Sequence, residues 1–267
     1  MRFELFGRVQ IRKATASEPM YFSAPKVEIV LLTLMANVGK VVSVQRLTTE
    51  IWQQDPPIRA NATVHVYISQ LRKRLRALDP AAEPIVTVQP GYQLRVPADR
   101  TDLHDFREEV RRGREYAAAQ QHDKAIPLLR SALRRSRGTG KPPYVQGPVL
   151  TSLYTWLDET RLDCKETLAD SMMTMGQHRE LTGPLQRLVC QHPLHEAFYR
   201  QLMLAYFRSG RRADALLAYQ VLRSRLQHDL GLDPSSAAQE LHRSILDGDE
   251  ALHDVLTIVK RERTSGF

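Results

Sequence analysis

Between Asn61 and Leu78 the chain reads NATVHVYISQLRKRLRAL, and Val64, Ile68, Leu71, Leu75 and Leu78 recur at spacings of four and three. On a helix advancing about 100° per residue these five share one side, and that side must be buried. Ala62, Val66, Ser69 and Lys73 lie opposite, with Gln70 and Arg76 beside them and His65, Arg72 and Arg74 on the shoulders. A helix that packs inward and offers a polar, cationic ridge outward suits a nucleic-acid groove. Alone, the same pattern is equally that of a solvated surface helix, so its context has to separate the two.

Upstream, Arg2–Leu5, Val9–Lys13 and Met20–Phe22 carry alternating or β-favouring residues and predict a small antiparallel sheet. Pro25 suits a first helical turn, and the pattern Ile29, Leu32, Met35 runs to stop signals at Asn37 and Gly39. Ser43 predicts an N-cap for a helix over Val44–Trp52, which Asp55-Pro56-Pro57 ends. After the long helix, Ile85–Val88 and Tyr92–Val96 predict two strands joined by the turn residues Gln89-Pro90-Gly91. Three helices followed by a hairpin make a winged helix.

A boundary is expected at Pro97–Thr101. From Asp102 the pattern is helical throughout, with one clear loop at Gly138–Gly147. A period of 34 residues relates Gly176 to Gly210 and Leu188 to Leu222, the spacing of tetratricopeptide-like helix pairs, in which a small residue is expected to let the paired helices approach. A degenerate first copy spans Tyr116–Arg135, with Ala125 in the place of Ala215, Gln120 in the place of the glycine, and Pro127 inside the second helix. The fold expected is therefore mainly α with a small β component: a winged helix-turn-helix domain over 1–98, an all-α repeat domain over 102–249, and a C-terminal tail over 250–267.

Charge follows this division. Residues 1–100 hold 14 Lys/Arg against 8 Asp/Glu, net +6, while residues 101–267 hold 24 against 22, net +2. An excess confined to the smaller part is expected if that part meets a polyanion. The longest apolar run, Val27–Val38, is interrupted by Glu28, Thr33 and Asn37, well short of the ~20 residues that span a bilayer. MRFELFGRVQIRK has no secretory-signal pattern, and two cysteines make no disulfide framework. A cytoplasmic, nucleoid-associated protein with no membrane contact is expected.

The segments VVSVQRLTTEIW, ANATVHVYISQLRKRLR and VTVQPGYQL, with HPLHEAFYRQLMLAYFRSGRRADALLAYQVLRSRLQHDLGLDPS near the end, resemble the Streptomyces antibiotic regulatory protein family over roughly residues 1–250. That family joins an OmpR-type winged helix to a bacterial transcriptional activation domain. The last segment is the most specific, because helix physics demands neither its length nor its GLDPS terminus. The resemblance implies a pathway-level activator of antibiotic or secondary-metabolite genes. It would bind direct repeats upstream of promoters, as a homodimer or as tandem protomers, and recruit RNA polymerase holoenzyme. It implies that the 61–78 helix enters the major groove and the hairpin the adjacent minor groove. Carried over by position, Ser69, Gln70, Lys73 and, at the wing tip, Gln89 read bases. Trp52, Thr63, Tyr67, Arg72, Arg74, Arg76, Thr87 and Tyr92 meet the phosphate side. Gln70 stands where relatives often carry Arg, and Gln pairs in bidentate fashion with adenine, so the target sequence is expected to differ.

No cofactor or metal is implied. Cys190, His192 and His195 do not have zinc spacing, GTGK at 138–141 lacks the remainder of a phosphate loop, and no nucleophile stands in a motif with a His partner. An enzyme is not expected. Met172, Met173, Met175 and Met203 read as packing between repeat helices. Two rivals keep the same architecture: a helical-repeat adaptor whose winged helix docks protein, and a repressor.

Overall fold

The computed structural model describes residues 1–13 and 18–248; the tail expected from residue 250 lies outside them. The chain begins with β1 (Arg2–Glu4), β2 (Gln10–Arg12) and β3 (Met20–Tyr21), an antiparallel sheet in that order. The alternation of β1 and β2 puts Phe3 and Ile11 inward, and both are fully buried. Three helices follow: α1 (Pro25–Ala36), α2 (Val44–Trp52) and α3 (Ala60–Leu78). Pro25 opens α1, and the Ser43 hydroxyl accepts the Arg46 N–H at 3.1 Å, as the N-cap pattern predicts.

The wing is a three-stranded sheet. β5 (Ile85–Val88) and β6 (Gly91–Leu94) form the expected hairpin around Gln89-Pro90, β6 being shifted slightly toward the turn from the predicted strand. A strand that sequence reading missed, β4 (Val41–Ser43), sits between α1 and α2 and pairs with β6, giving the order β4-β6-β5. It pairs only because residue 91 has no side chain: a Cβ on Gly91 would lie 2.0 Å from the Val42 carbonyl oxygen.

A 3-10 turn at Ala98–Arg100 and seven α-helices complete the described chain: α4 (Asp102–Ala118), α5 (His122–Arg135), α6 (Pro148–Thr174), α7 (His178–Gln191), α8 (Glu196–Arg208), α9 (Arg212–Leu230) and α10 (Ser236–Asp247). Beyond β6 no further strand occurs among the described residues. The chain forms two compact units. The first joins the residues up to Arg112 to Arg130–Asp163; the second joins Gly113–Leu129 to the described residues from Cys164.

In the first unit the winged helix is tied to the beginnings of the long helices by two buried carboxylates. Asp102, opening α4, accepts the backbone N–H groups of Leu5 and Phe6, each at 2.8 Å to Oδ2. Glu50 of α2, 1% exposed, accepts those of Val149 and Leu150 in the first turn of α6 at 2.9 and 2.8 Å. These two donors belong to the four that a helix start leaves unpaired, where a negative charge is favoured.

In the second unit α7, α8, α9 and α10 pack in succession around Phe198, Tyr199 and Met203, all at most 1% exposed. The 34-residue period is a turn period. Gly176 and Gly210 sit at the same inter-helix position with φ of 75° and 76°, and Gln120 in the degenerate copy adopts φ 60°. Open space surrounds a Cβ at either glycine, which corrects the expectation that they let helices approach: left-handed backbone is what the position requires. Close approach falls instead at Gly113, where a Cβ would meet Leu129 at 2.8 Å.

Candidate nucleic-acid interface

Val64, Ile68, Leu71 and Leu75 are at most 1% exposed, and Leu78 is half-buried. Burying four such side chains contributes about 1.5–3 kcal/mol each, which fixes the rotation of α3 about its axis. The opposite ridge is thereby held outward: Ala62, Val66, Ser69, Gln70 and Lys73 are all exposed. Ser69, Gln70 and Lys73 make no hydrogen bond or ion pair among the described residues. Gln89, in the two-residue wing turn, is exposed as well. These four are the residues for which base reading is expected, and none of their side chains has a hydrogen-bond or ion-pair partner among the described residues.

The phosphate-side candidates are largely engaged with the protein. Arg72 donates from Nε to the Ile85 carbonyl at 3.0 Å and from Nη2 to the Thr87 hydroxyl at 2.9 Å, with its guanidinium over the Tyr92 ring at 5.6 Å. It therefore ties α3 to the wing. Tyr92 is buried, and its hydroxyl hydrogen-bonds His65 of α3, which adds a second tie one face away. Arg74 donates to the Tyr21 carbonyl at 3.2 Å, and Arg76 pairs with Glu83. The Thr63 hydroxyl donates to the Arg59 carbonyl at 3.0 Å. Trp52 and Tyr67 are half-buried and stacked with ring centroids 6.3 Å apart; the Lys26 ammonium lies 5.2 Å from the Trp52 ring, and burial pushes the Tyr67 phenol up.

Three residues without an assigned role in the sequence reading join this surface. His65 is the partner of Tyr92. Lys26 is exposed beside Trp52, and Arg46 is exposed in the first turn of α2, next to the wing, where the Val44 N–H reaches the Pro90 carbonyl at 3.2 Å. Arg46 was legible as a cation following an N-cap. His65 and Lys26 acquire their places only through tertiary contacts.

Elsewhere, His192 and His195 lie around the Phe198 ring, and His195 faces Glu166 at 3.0 Å. Burial lowers the pKa of both imidazoles. Among the described residues no group of three or more His, Cys, Asp or Glu is arranged to hold a metal ion. No described helix is long and apolar enough to cross a membrane.

Residues 23–94 match the family model described as transcriptional regulatory protein, C terminal, and residues 101–246 match the bacterial transcriptional activator domain. The chain is 32% identical over 228 residues to the regulatory protein DnrI of Streptomyces peucetius, covering 83% of each. It is 33% identical to AfsR of Streptomyces coelicolor over 96% of this chain and 25% of that one. Similarity to the transcriptional regulatory protein EmbR of Mycobacterium tuberculosis is 32% over 91% of this chain, which spans 63% of EmbR's length. The solved structure of Mycobacterium tuberculosis EmbR with a low-affinity phosphopeptide superimposes with a TM-score of 0.81 at 30% identity, over 98% of this chain and 70% of that one.

Proposed function

Because the chain belongs to the Streptomyces antibiotic regulatory protein family of transcriptional regulators, we propose that it is a sequence-specific, double-stranded-DNA-binding activator of a biosynthetic pathway for an antibiotic or other secondary metabolite. It binds direct repeats upstream of promoters as tandem protomers or a homodimer and recruits RNA polymerase holoenzyme. It acts in the cytoplasm, on the nucleoid. Residues 1–98 bind DNA, residues 102–249 carry the activating contacts, and no step is catalytic.

The observation that carries this reading is the partition on α3. Ser69, Gln70 and Lys73, with Gln89 at the wing tip, are exposed and unengaged among the described residues, as groups must be if they are to meet base edges. The cations and hydroxyls around them are held in fixed positions by the protein itself. Phosphate contacts position a reader and base contacts specify the sequence. Ser69, Gln70, Lys73 and Gln89 read bases, Gln70 favouring adenine through its N6 and N7. Trp52, Thr63, Tyr67, Arg72, Arg74, Arg76 and Thr87 face the sugar-phosphate edge, and Tyr92 serves them from beneath the wing by holding His65 and Arg72. Tandem protomers in one orientation place direct repeats one helical turn apart or a multiple of it.

Selection of bound fragments from random and genomic duplexes at physiological salt tests the reading. The expected result is a motif of regularly spaced direct repeats, bound at ~10⁻⁸ M or tighter, that blurs in the Gln70→Ala protein. Binding that stays at ~10⁻⁴ to 10⁻⁶ M for every sequence would leave the adaptor reading in its place.

A further inference from the structure

Val66 is the one large apolar side chain on the outward ridge of α3, and it is 52% exposed. Neither local nor tertiary energetics accounts for it. The buried stripe is complete without it, and a β-branched residue at an exposed helical position is a weaker helix former than the Ala, Gln, Lys or Arg found around it. Its neighbours on the same face are Ala62 one turn before, Ser69 and Gln70 one turn after, and Lys73 two turns after. Apart from Ala62 these are polar, so the ridge offers a single apolar point amid hydrogen-bonding groups.

We infer that Val66 is a specificity-determining residue that packs against the C5-methyl group of a thymine in the major groove. The inference rests on the DNA-reading role proposed above for this helix. That methyl is the apolar feature distinguishing the major-groove edges of the four base pairs, and an isopropyl group with no hydrogen-bonding capacity discriminates by shape and by exclusion of water. Along α3, four residues advance about 6 Å, close to two base-pair steps of about 3.4 Å. The thymine read by Val66 therefore lies one or two base pairs from the base read by Gln70. Ala62, another turn back, leaves room for the helix to approach the groove wall.

The test measures dissociation constants for the selected duplex and for a series in which each thymine is replaced singly by deoxyuridine, which removes only the methyl. The whole protein, Val66→Ala and Val66→Thr are compared; the site is exposed, and circular dichroism checks that both variants fold. At one thymine per half-site, deoxyuridine weakens wild-type binding about three- to fivefold, the scale of one buried methyl group. The same replacement has little effect on Val66→Ala, which lacks both γ-methyl groups, and an intermediate effect on Val66→Thr, which keeps one of them. Methyl losses that are equal in all three proteins, or absent at every position while the motif itself is still selected, overturn the role of Val66 and leave the DNA-reading function standing. A protein that selects no motif overturns both.

Discussion

Arg72 combines a charge with a brace on one side chain. Its two hydrogen bonds reach the wing at Ile85 and Thr87, so the cation expected at the DNA backbone also sets where the wing stands relative to α3. Replacing it with Ala should lower unfolding stability by about 1–2 kcal/mol, the scale of hydrogen bonds to a charged group at a partly exposed site. Binding to duplexes of any sequence should weaken alongside. Arg72→Lys separates the two contributions, because an ammonium keeps the charge without the planar fork. Chemical denaturation should show Lys as unstable as Ala, and filter binding should show only partial recovery; full recovery of both would mean that charge alone matters there. The sequence located Arg72 on the shoulder of α3 from helical periodicity. Its partners were not legible, since they depend on the register of a hairpin thirteen and fifteen residues away.

At the scale of elements, local signals served helices better than strands. The 19-residue α3 carries five turns of periodic evidence and was readable almost to the residue. β4 has three residues and passes directly into α2 through Ser43, which ends one element and caps the next. No alternation can register over so short a length, and the strand exists because β6 accepts it as a neighbour. Gly91→Ala tests that dependence. With the Val42 carbonyl oxygen 2.0 Å from the new Cβ and the Ser43 Cα 2.6 Å away, β4 must leave its place, at a cost of about 3 kcal/mol. Hydrogen exchange should report lost protection at Val42 and in β6 while α3 stays protected; unchanged protection in β4 would show that the sheet absorbs the methyl. The helical repeat shows the converse. Its period was legible from two glycines, but their job was not, because a small residue at a helix end serves close packing and left-handed backbone alike. Gln120, adopting the same φ without being glycine, identifies the second requirement.

For the molecule as a whole, the order of parts followed from charge distribution and from the change of periodicity near residue 100, whereas the carboxylates that bind those parts did not announce themselves. Asp102 and Glu50 look in sequence like ordinary helix-terminal and surface acids. Desolvation dominates at Asp102: burial pushes its carboxyl from 3.8 up to about 6, even though the Leu5, Phe6 and Leu103 N–H groups pull the other way. Between those two values the folded protein keeps a proton that the unfolded chain has released. The associated stability is complete below pH 3.8 and is lost as pH rises through about 6. Asp102→Asn should flatten that part of the stability profile measured by urea denaturation, and an unchanged slope would place its origin elsewhere. Glu50 has a different implication. Its oxygens hold the first turn of α6, nearly a hundred residues on, so the winged helix is finished by chain that family boundaries assign to the other domain. A fragment cut at residue 98 would retain every residue expected to touch DNA and yet expose an acid shaped to be covered, along with the Leu5 and Phe6 amides that Asp102 had satisfied. The practical limit of the winged-helix module is therefore set by where its last polar group finds a partner, and that point lies at Leu150.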